Sequence, residues 1–356
     1  MNDWQDYADV QFYEYDTENA GILIGNSIVC DGYQKGRNTA IFSHYHGDHI
    51  KYFEKTLTTC DTILSSPITH DSLVGIFGKH VAFRQNFQKL PFGQTHVTNT
   101  EEKITLYPSN HIPGSAQIYV ETHNGTRILY SGDFNYPGIS VPKCDILVLD
   151  ASHGDPQFDY VTDRKSVLNR IFEYVADEML HGNSIVIKAH RGTMQLIMQN
   201  LESNSEGKTI PNYIKFLAVD PKDSRLTEAL SPYLEFPIRP VLYYKDKEAL
   251  KIKNENKPYI LFRSPGSTPT PEEESMKTIM VDGYSNFKNK GAVFEEDGGL
   301  IRVNFTSHAS FSNILKYVKD ANPKLVITDK SRSSYGTSLA TQINQKLGIA
   351  AFPRPS

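Results

Sequence analysis

Apolar residues in this chain come in short runs, and the spacing of the runs changes along it. Through the first 150 residues the runs are strand-length: 10–15, 21–24, 27–30, 39–42, 61–66, 103–107, 117–121, 127–130 and 145–149. Such bounded runs, rich in β-branched and aromatic residues, predict β-strands. Gly25-Asn26 marks a turn, and Asn124-Gly125 between two runs marks a hairpin. Residues 50–53 and 67–71 each open a helix. From residue 163 the period lengthens. Val167, Leu168, Ile171, Phe172 and Val175 share one helical face over 163–180. Gly182-Asn183 breaks that helix, 184–188 is a strand, and Met194, Ile197, Met198 and Leu201 mark a second helix. Residues 203–300 are less legible, with strands expected at 213–219, 241–244, 259–262 and 278–281. A Pro/Ser/Thr/Glu loop fills 265–274, and 245–257 mixes both charge signs like a solvated face. The end of the chain reads as strand 300–305, helix 311–319, strand 324–328 and helix 337–347.

A chain of 356 residues with this change of character predicts two domains, or one carrying an insertion. The net charge of −4 carries no global nucleic-acid signature, although a groove can still focus positive charge. Cys30, Cys60 and Cys144 are few, odd in number and widely spaced, which fits a reducing cytoplasm and no disulfide framework. The N-terminal residues are polar and acidic, unlike a signal peptide. No apolar run approaches the ~18 residues that a membrane span needs.

Candidate chemistry changes this picture. In Ser43-His44-Tyr45-His46-Gly47-Asp48-His49, three histidines and one aspartate fall within six residues at a strand end. His44 and His46 alternate and point the same way, Gly47 lets the backbone turn, and Asp48 and His49 come round from the other side. Imidazole and carboxylate are the ligand types of a hydrolytic zinc-like site that keeps a position open for water. Three later strand ends present His111, Asp133 and Asp150 in series. Read alone, His111 before a Pro-Gly-Ser turn serves equally as a loop residue. It is the repeated placement that points to metal. Gly192 and Thr193, between a strand and a helix, are candidates for phosphate contact through free backbone N–H groups, or form an ordinary connection.

The pattern His-x-His-x-Asp-His resembles the signature of the metallo-β-lactamase superfamily. Asp150-Ala151-Ser152-His153-Gly154 and Phe305-Thr306-Ser307-His308-Ala309-Ser310 resemble motifs A and B of its β-CASP nucleases, among them the ligase-associated DNA exonucleases and the Artemis-type cross-link repair nucleases. The resemblance implies an α/β fold: a metallo-β-lactamase αββα sandwich from residues 1–160 and 300–356, with a β-CASP α/β cap inserted at 161–299. It implies a first metal held by His44, His46, His111 and Asp133, and a second held by Asp48, His49 and Asp133. The expected ions are one or two zincs, with manganese or magnesium possible in the second site. Asp48, Asp150 and His308 are the catalytic candidates, with Asp150 orienting His308 as the acid.

One departure stands out. Where the β-CASP ribonucleases place a further metal-ligating His, this chain has Lys330. Either Lys330 supplies charge to the substrate phosphate and the second metal is weak or absent, or the neighbouring Asp329 becomes the ligand. The departure tilts the expectation towards a DNA exonuclease in repair or end processing, with nucleic acid as substrate and a DNA ligase as a possible partner. The rivals are a β-CASP ribonuclease, a thioester or lactam hydrolase, and a catalytically silent nucleic-acid-binding scaffold.

Overall fold

The computed structural model describes residues 10–13, 20–159, 163–203, 206–283, 293–296 and 300–355. The chain divides into two compact units. Unit 1 is Met1–Asp71, Lys79–Tyr160 and Ser307–Ser356, and unit 2 is Ser72–Gly78 and Val161–Thr306.

Unit 1 opens with a six-stranded sheet in chain order: β1 (Val10–Tyr13), β2 (Ala20–Ile24), β3 (Ile28–Tyr33), β4 (Thr39–Ile41), β5 (Thr62–Ser65) and β6 (Phe87–Lys89). The first three strands form an antiparallel meander, and β3 to β6 run parallel. Parallel neighbours need crossovers. Helices α1 (Phe53–Thr59) and α2 (Pro67–Phe77) lie in those crossovers. A second sheet follows, with β7 (Thr95–Val97), β8 (Lys103–Pro108), β9 (Ala116–Glu121), β10 (Arg127–Tyr130) and β11 (Ile146–Leu149).

Unit 2 then folds around a mostly parallel sheet. Along the chain come α3 (Arg164–Leu180), β12 (Ile185–Lys188), α4 (Thr193–Glu202), β13 (Lys215–Ala218), α5 (Pro221–Leu230), β14 (Val241–Tyr243) and α6 (Lys247–Asn254). After them come β15 (Tyr259–Arg263), β16 (Lys277–Asp282), β17 (Val293–Glu296) and β18 (Leu300–Asn304). The sheet order is β14-β13-β15-β12-β16-β18-β17, and β17 is its one antiparallel member. Four further elements, α7 (Phe311–Ala321), β19 (Leu325–Asp329), α8 (Gly336–Leu347) and β20 (Ala350–Arg354), return to unit 1. There β19 and β20 extend the second sheet beside β11.

The two sheets of unit 1 share one core, with Ile22, Ile28, Ile41 and Leu64 packed among Leu106, Ile118, Ile128, Val148 and Ile327. Every residue of β11 is buried. Ile146 and Val148 join the core between the sheets, while Leu147 and Leu149 pack with Phe311, Ile314, Leu339 and Ile343 of α7 and α8. A strand covered on both faces reads as a continuous apolar run, and 145–149 does.

Two expectations shift. Strand 300–305 was expected in the 1–160/300–356 part. Instead β18 pairs with β16 and β17 in the sheet of unit 2, and the chain re-enters unit 1 at Ser307. The backbone partners of β18 decide this, and its own apolar pattern suits either sheet. The helix expected from Ile50 starts at Phe53, because the His49 and Ile50 N–H groups both donate to His46 O in a turn.

Candidate metal centre

The site grows from strand ends. β8 and β10 both run antiparallel to β9, and β10 runs parallel to β11. Their C-terminal ends therefore lie along one edge. From the facing sheet, Phe42 N still donates to Leu64 O and Ser43 O accepts from Ala116 N at the start of β9. These bonds lead the chain after β4 to the same edge. His111 sits in the loop after β8, where Ser115 Oγ accepts from the N–H groups of His111 and Ile112. Gly114 in that loop has φ 83°, and a Cβ there would lie 2.6 Å from Ile68 Cβ, so the turn requires glycine.

His44, His46, His111 and Asp133 each bring a donor atom within 4.8 Å of the others. His44 Nε2 and His111 Nε2 lie 3.6 and 3.4 Å from Asp133 Oδ2, and His111 Nε2 lies 3.1 Å from His46 Nδ1. The three rings stand nearly edge-to-face, with centroids 4.8–4.9 Å apart. His49 approaches from the other side, with Nε2 3.3 Å from Asp133 Oδ1 and 3.4 Å from Asp48 Oδ2. Asp133 thus turns one oxygen to each side. Asp48 is largely exposed, while His49 is buried. His308 Nδ1 is 3.0 Å from Asp150 Oδ2, and its Nε2 is 3.9 Å from Asp133 Oδ2.

Burial drives His44 and His111 well below the usual imidazole pKa, so both are neutral and offer a lone pair. Burial opposes ionisation of Asp133, but His49, His44 and His111 outweigh it and hold the carboxyl well below its usual range. Burial lowers His49 too, and the carboxylates of Asp133, Asp31 and Asp48 overcome it and raise the ring to about 10. His308 is also raised: Asp150, then Asp133 and Asp48, outweigh its burial.

These residues fit a divalent cation. His44 Nε2 is buried without a hydrogen-bond partner, and a buried polar atom left so is costly. An ion among the donors would satisfy it. The His111 Nδ1–H donates to Ser307 O, which leaves its Nε2 as the lone-pair atom facing the cluster. Three imidazoles and a carboxylate make a donor set for a first-row divalent ion.

A residue outside the expected set organises one side. Asp31, buried within β3, accepts from Ser43 N at 2.7 Å, Ser43 Oγ at 2.6 Å and Tyr130 OH at 2.8 Å. His49 Nδ1 lies 2.7 Å from Asp31 Oδ2. A carboxylate on the far nitrogen of a ligand histidine fixes its tautomer and orientation. The sequence signal was a lone acid inside the apolar strand Ile28–Tyr33.

Gly192 and Thr193 belong to unit 2 and are buried, and the Gly192 N–H donates to the Gln195 side chain of its own helix, so that N–H is not free for phosphate. Lys330 is exposed, and its N–H donates to Arg354 O. Asp329 is committed elsewhere: Oδ1 accepts from Ser331, and Oδ2 pairs with Arg332 at 2.9 Å.

No protein-family model matches the chain. Curated proteins do, among them the following three. A protein of Acidianus ambivalens described as "uncharacterized protein in lig 3'region" is 35% identical over 107 residues, 29% of this chain and 74% of that one. An RNase J-like protein of Methanocaldococcus jannaschii is 23% identical, covering 75% of this chain and 73% of its own. A probable DNA ligase of Opitutus terrae is 24% identical over 87% of this chain, which spans 28% of that protein. The chain belongs to the β-CASP nucleases of the metallo-β-lactamase superfamily. A solved Enterococcus faecalis protein of unknown function shares the fold, with TM-score 0.52 and 14% identity over 90% of this chain and 80% of its own. Among the described residues, no helix is long and apolar enough to cross a membrane.

Proposed function

We propose that this β-CASP protein is a metal-dependent phosphodiesterase, a DNA exonuclease of repair or end processing. The observation that carries this reading is the convergence of four metal-ligand-type donors, His44, His46, His111 and Asp133, beside a carboxylate-held histidine, His308. Unit 1 is read as the αββα sandwich and unit 2 as the cap. His44, His46, His111 and Asp133 hold the first ion, and Asp48, His49 and Asp133 a second. Zinc suits this nitrogen-rich set best, with manganese or magnesium as alternatives at the second position. A divalent ion held there supplies Lewis acidity toward water and a phosphoryl oxygen. Asp48, exposed beside His49, accepts a proton from the attacking water. Asp150 holds His308 by Nδ1, so that Nε2 donates its proton to the leaving oxygen. Lys330, exposed, contributes point charge toward substrate phosphate.

Two relatives support DNA: a probable DNA ligase in which this chain matches one segment, and a protein named for its position beside a lig gene. A DNA ligase is accordingly the proposed partner. The lysine in place of a further metal-ligating histidine points the same way. Three free, buried cysteines support a reducing cytoplasm. The RNase J-like relative favours a second reading, as a ribonuclease. One panel tests both: end-labelled DNA and RNA, single- and double-stranded, with zinc, manganese or magnesium. Shortening of DNA from an end, abolished by chelation, is expected. Cleavage confined to RNA selects the second reading, and metal-loaded protein that cleaves neither overturns both.

A further inference from the structure

The peptide that carries His308 is gripped on both flanks. Ser307 O accepts from His111 Nδ1 and Ala309 O accepts from His153 Nδ1, each at 3.2 Å. Ala309 N donates to Phe134 O at 2.9 Å. The two carbonyls flanking His308 are therefore each held by an imidazole. His111 already has a role among the metal donors, and the reaction as read so far does not use His153. His153 is fully buried, stacks on Phe158 at 4.8 Å and 7°, and lies 5.4 Å from the His308 ring.

The platform under His153 is anchored in turn. Phe158 meets Tyr335 edge-on at 4.9 Å. Asp155 accepts from Ser338 Oγ at 2.8 Å, and Asp159 accepts from Ser312 N and Oγ at 3.0 and 2.6 Å. These bonds tie the segment after β11 to the starts of α7 and α8. An imidazole buried here costs more than a phenyl ring of similar size unless its N–H is used. Ala309 O uses it.

We propose that His153 is a positioning residue for His308, acting through the Ala309 carbonyl. This rests on the reading of His308 as the acid. His308 is held toward Asp150 at Nδ1, and its Nε2 sits 3.9 Å from Asp133. Freeing the 307–309 backbone on one flank lets the ring swing. A displacement of about 1 Å can cost ~10²-fold in rate.

Two variants of the full chain test this. His153→Phe keeps the ring and its stacking but removes the N–H. His153→Asn removes the ring and keeps a donor close to the Nδ1 position. We expect the Phe variant to lose about tenfold or more in kcat, as outer-shell changes do, with KM and metal content unchanged. The Asn variant recovers at least part of that loss. A second readout is the His308 Nδ1–H signal in protein with ¹⁵N-labelled histidine. It should shift or broaden in the Phe variant and return in the Asn variant. This signal decides the proposal even if wild-type protein cleaves no phosphodiester, in which case the functional reading fails separately. A Phe variant with wild-type kcat and an unchanged signal overturns the proposal, as does an Asn variant no better than Phe. Loss of metal in the Phe variant also overturns it, by assigning His153 to the metal site.

Discussion

Polar groups gather at strand ends in both units, with opposite outcomes. In unit 2, β12, β13, β15, β16 and β18 run parallel, so their C-terminal ends share an edge. There Arg191 pairs with Asp223 at 2.6 Å and Asp220 at 2.8 Å, and Arg263 meets both oxygens of Glu273 at 2.8 and 2.7 Å. Cation faces anion, and each buried charge finds a hydrogen-bonded partner. In unit 1 the converging groups are imidazoles and a carboxylate, all metal-ligand types, and His44 Nε2 has no hydrogen-bond partner. Complementary burial holds a fold together. Convergent ligand-type donors around a buried nitrogen that lacks a hydrogen bond are what a cation completes.

The comparison can be broken, most severely by His44→Ala with His46→Ala. That variant should bind no ion at the first position and fall to background cleavage, as checked by elemental analysis beside the digestion panel. Retained stoichiometry would place the ion elsewhere. His308→Ala should keep its metal and lose ~10²–10⁴ in kcat, the usual range for a general acid. Metal loss with turnover restored by added ion would make His308 a ligand. Glu273→Gln should leave metal content alone but cost about 3–5 kcal/mol in denaturant unfolding, because it strands a buried guanidinium. An unchanged midpoint would show that the unit 2 pair is not structural. Asp31→Asn should weaken metal affinity about 10–100-fold by loosening His49 and Ser43, read by chelator competition. The smallest effect belongs to Lys330→Ala, a severalfold rise in KM with kcat and metal unchanged. A fall in metal content would contradict its assignment to substrate.

Legibility in the sequence followed burial. Helix 163–180 appeared as α3, because Val167, Ile171, Phe172 and Val175 bury one face. Helix α6 lies inside the stretch read as solvated. Only Ala249 and Ile252 of its eight residues are buried, too few for a periodic signal. α5 carried a readable start, with Asp220 capping Lys222 N and Pro221 in its first turn, which a search for apolar spacing passes over. β6 and β7 have three residues each, with mostly exposed side chains, and are held by backbone pairing.

The sequence by itself determined the local chemistry: which strand ends carry histidine or aspartate, and that His44 and His46 face one way. These follow from alternation and from glycine at the turns, which act over a few residues. Tertiary structure alone decided what lies far apart in the chain. It brought His111 and Asp133 to His46, turned one Asp133 oxygen to each side, and committed Asp329 to Ser331 and Arg332. It set Asp31 behind His49 and His153 behind Ala309, and assigned β18 to unit 2. Sheet pairing and hydrogen-bond direction depend on which backbone and side-chain partners meet across the fold, and no local pattern encodes those partners.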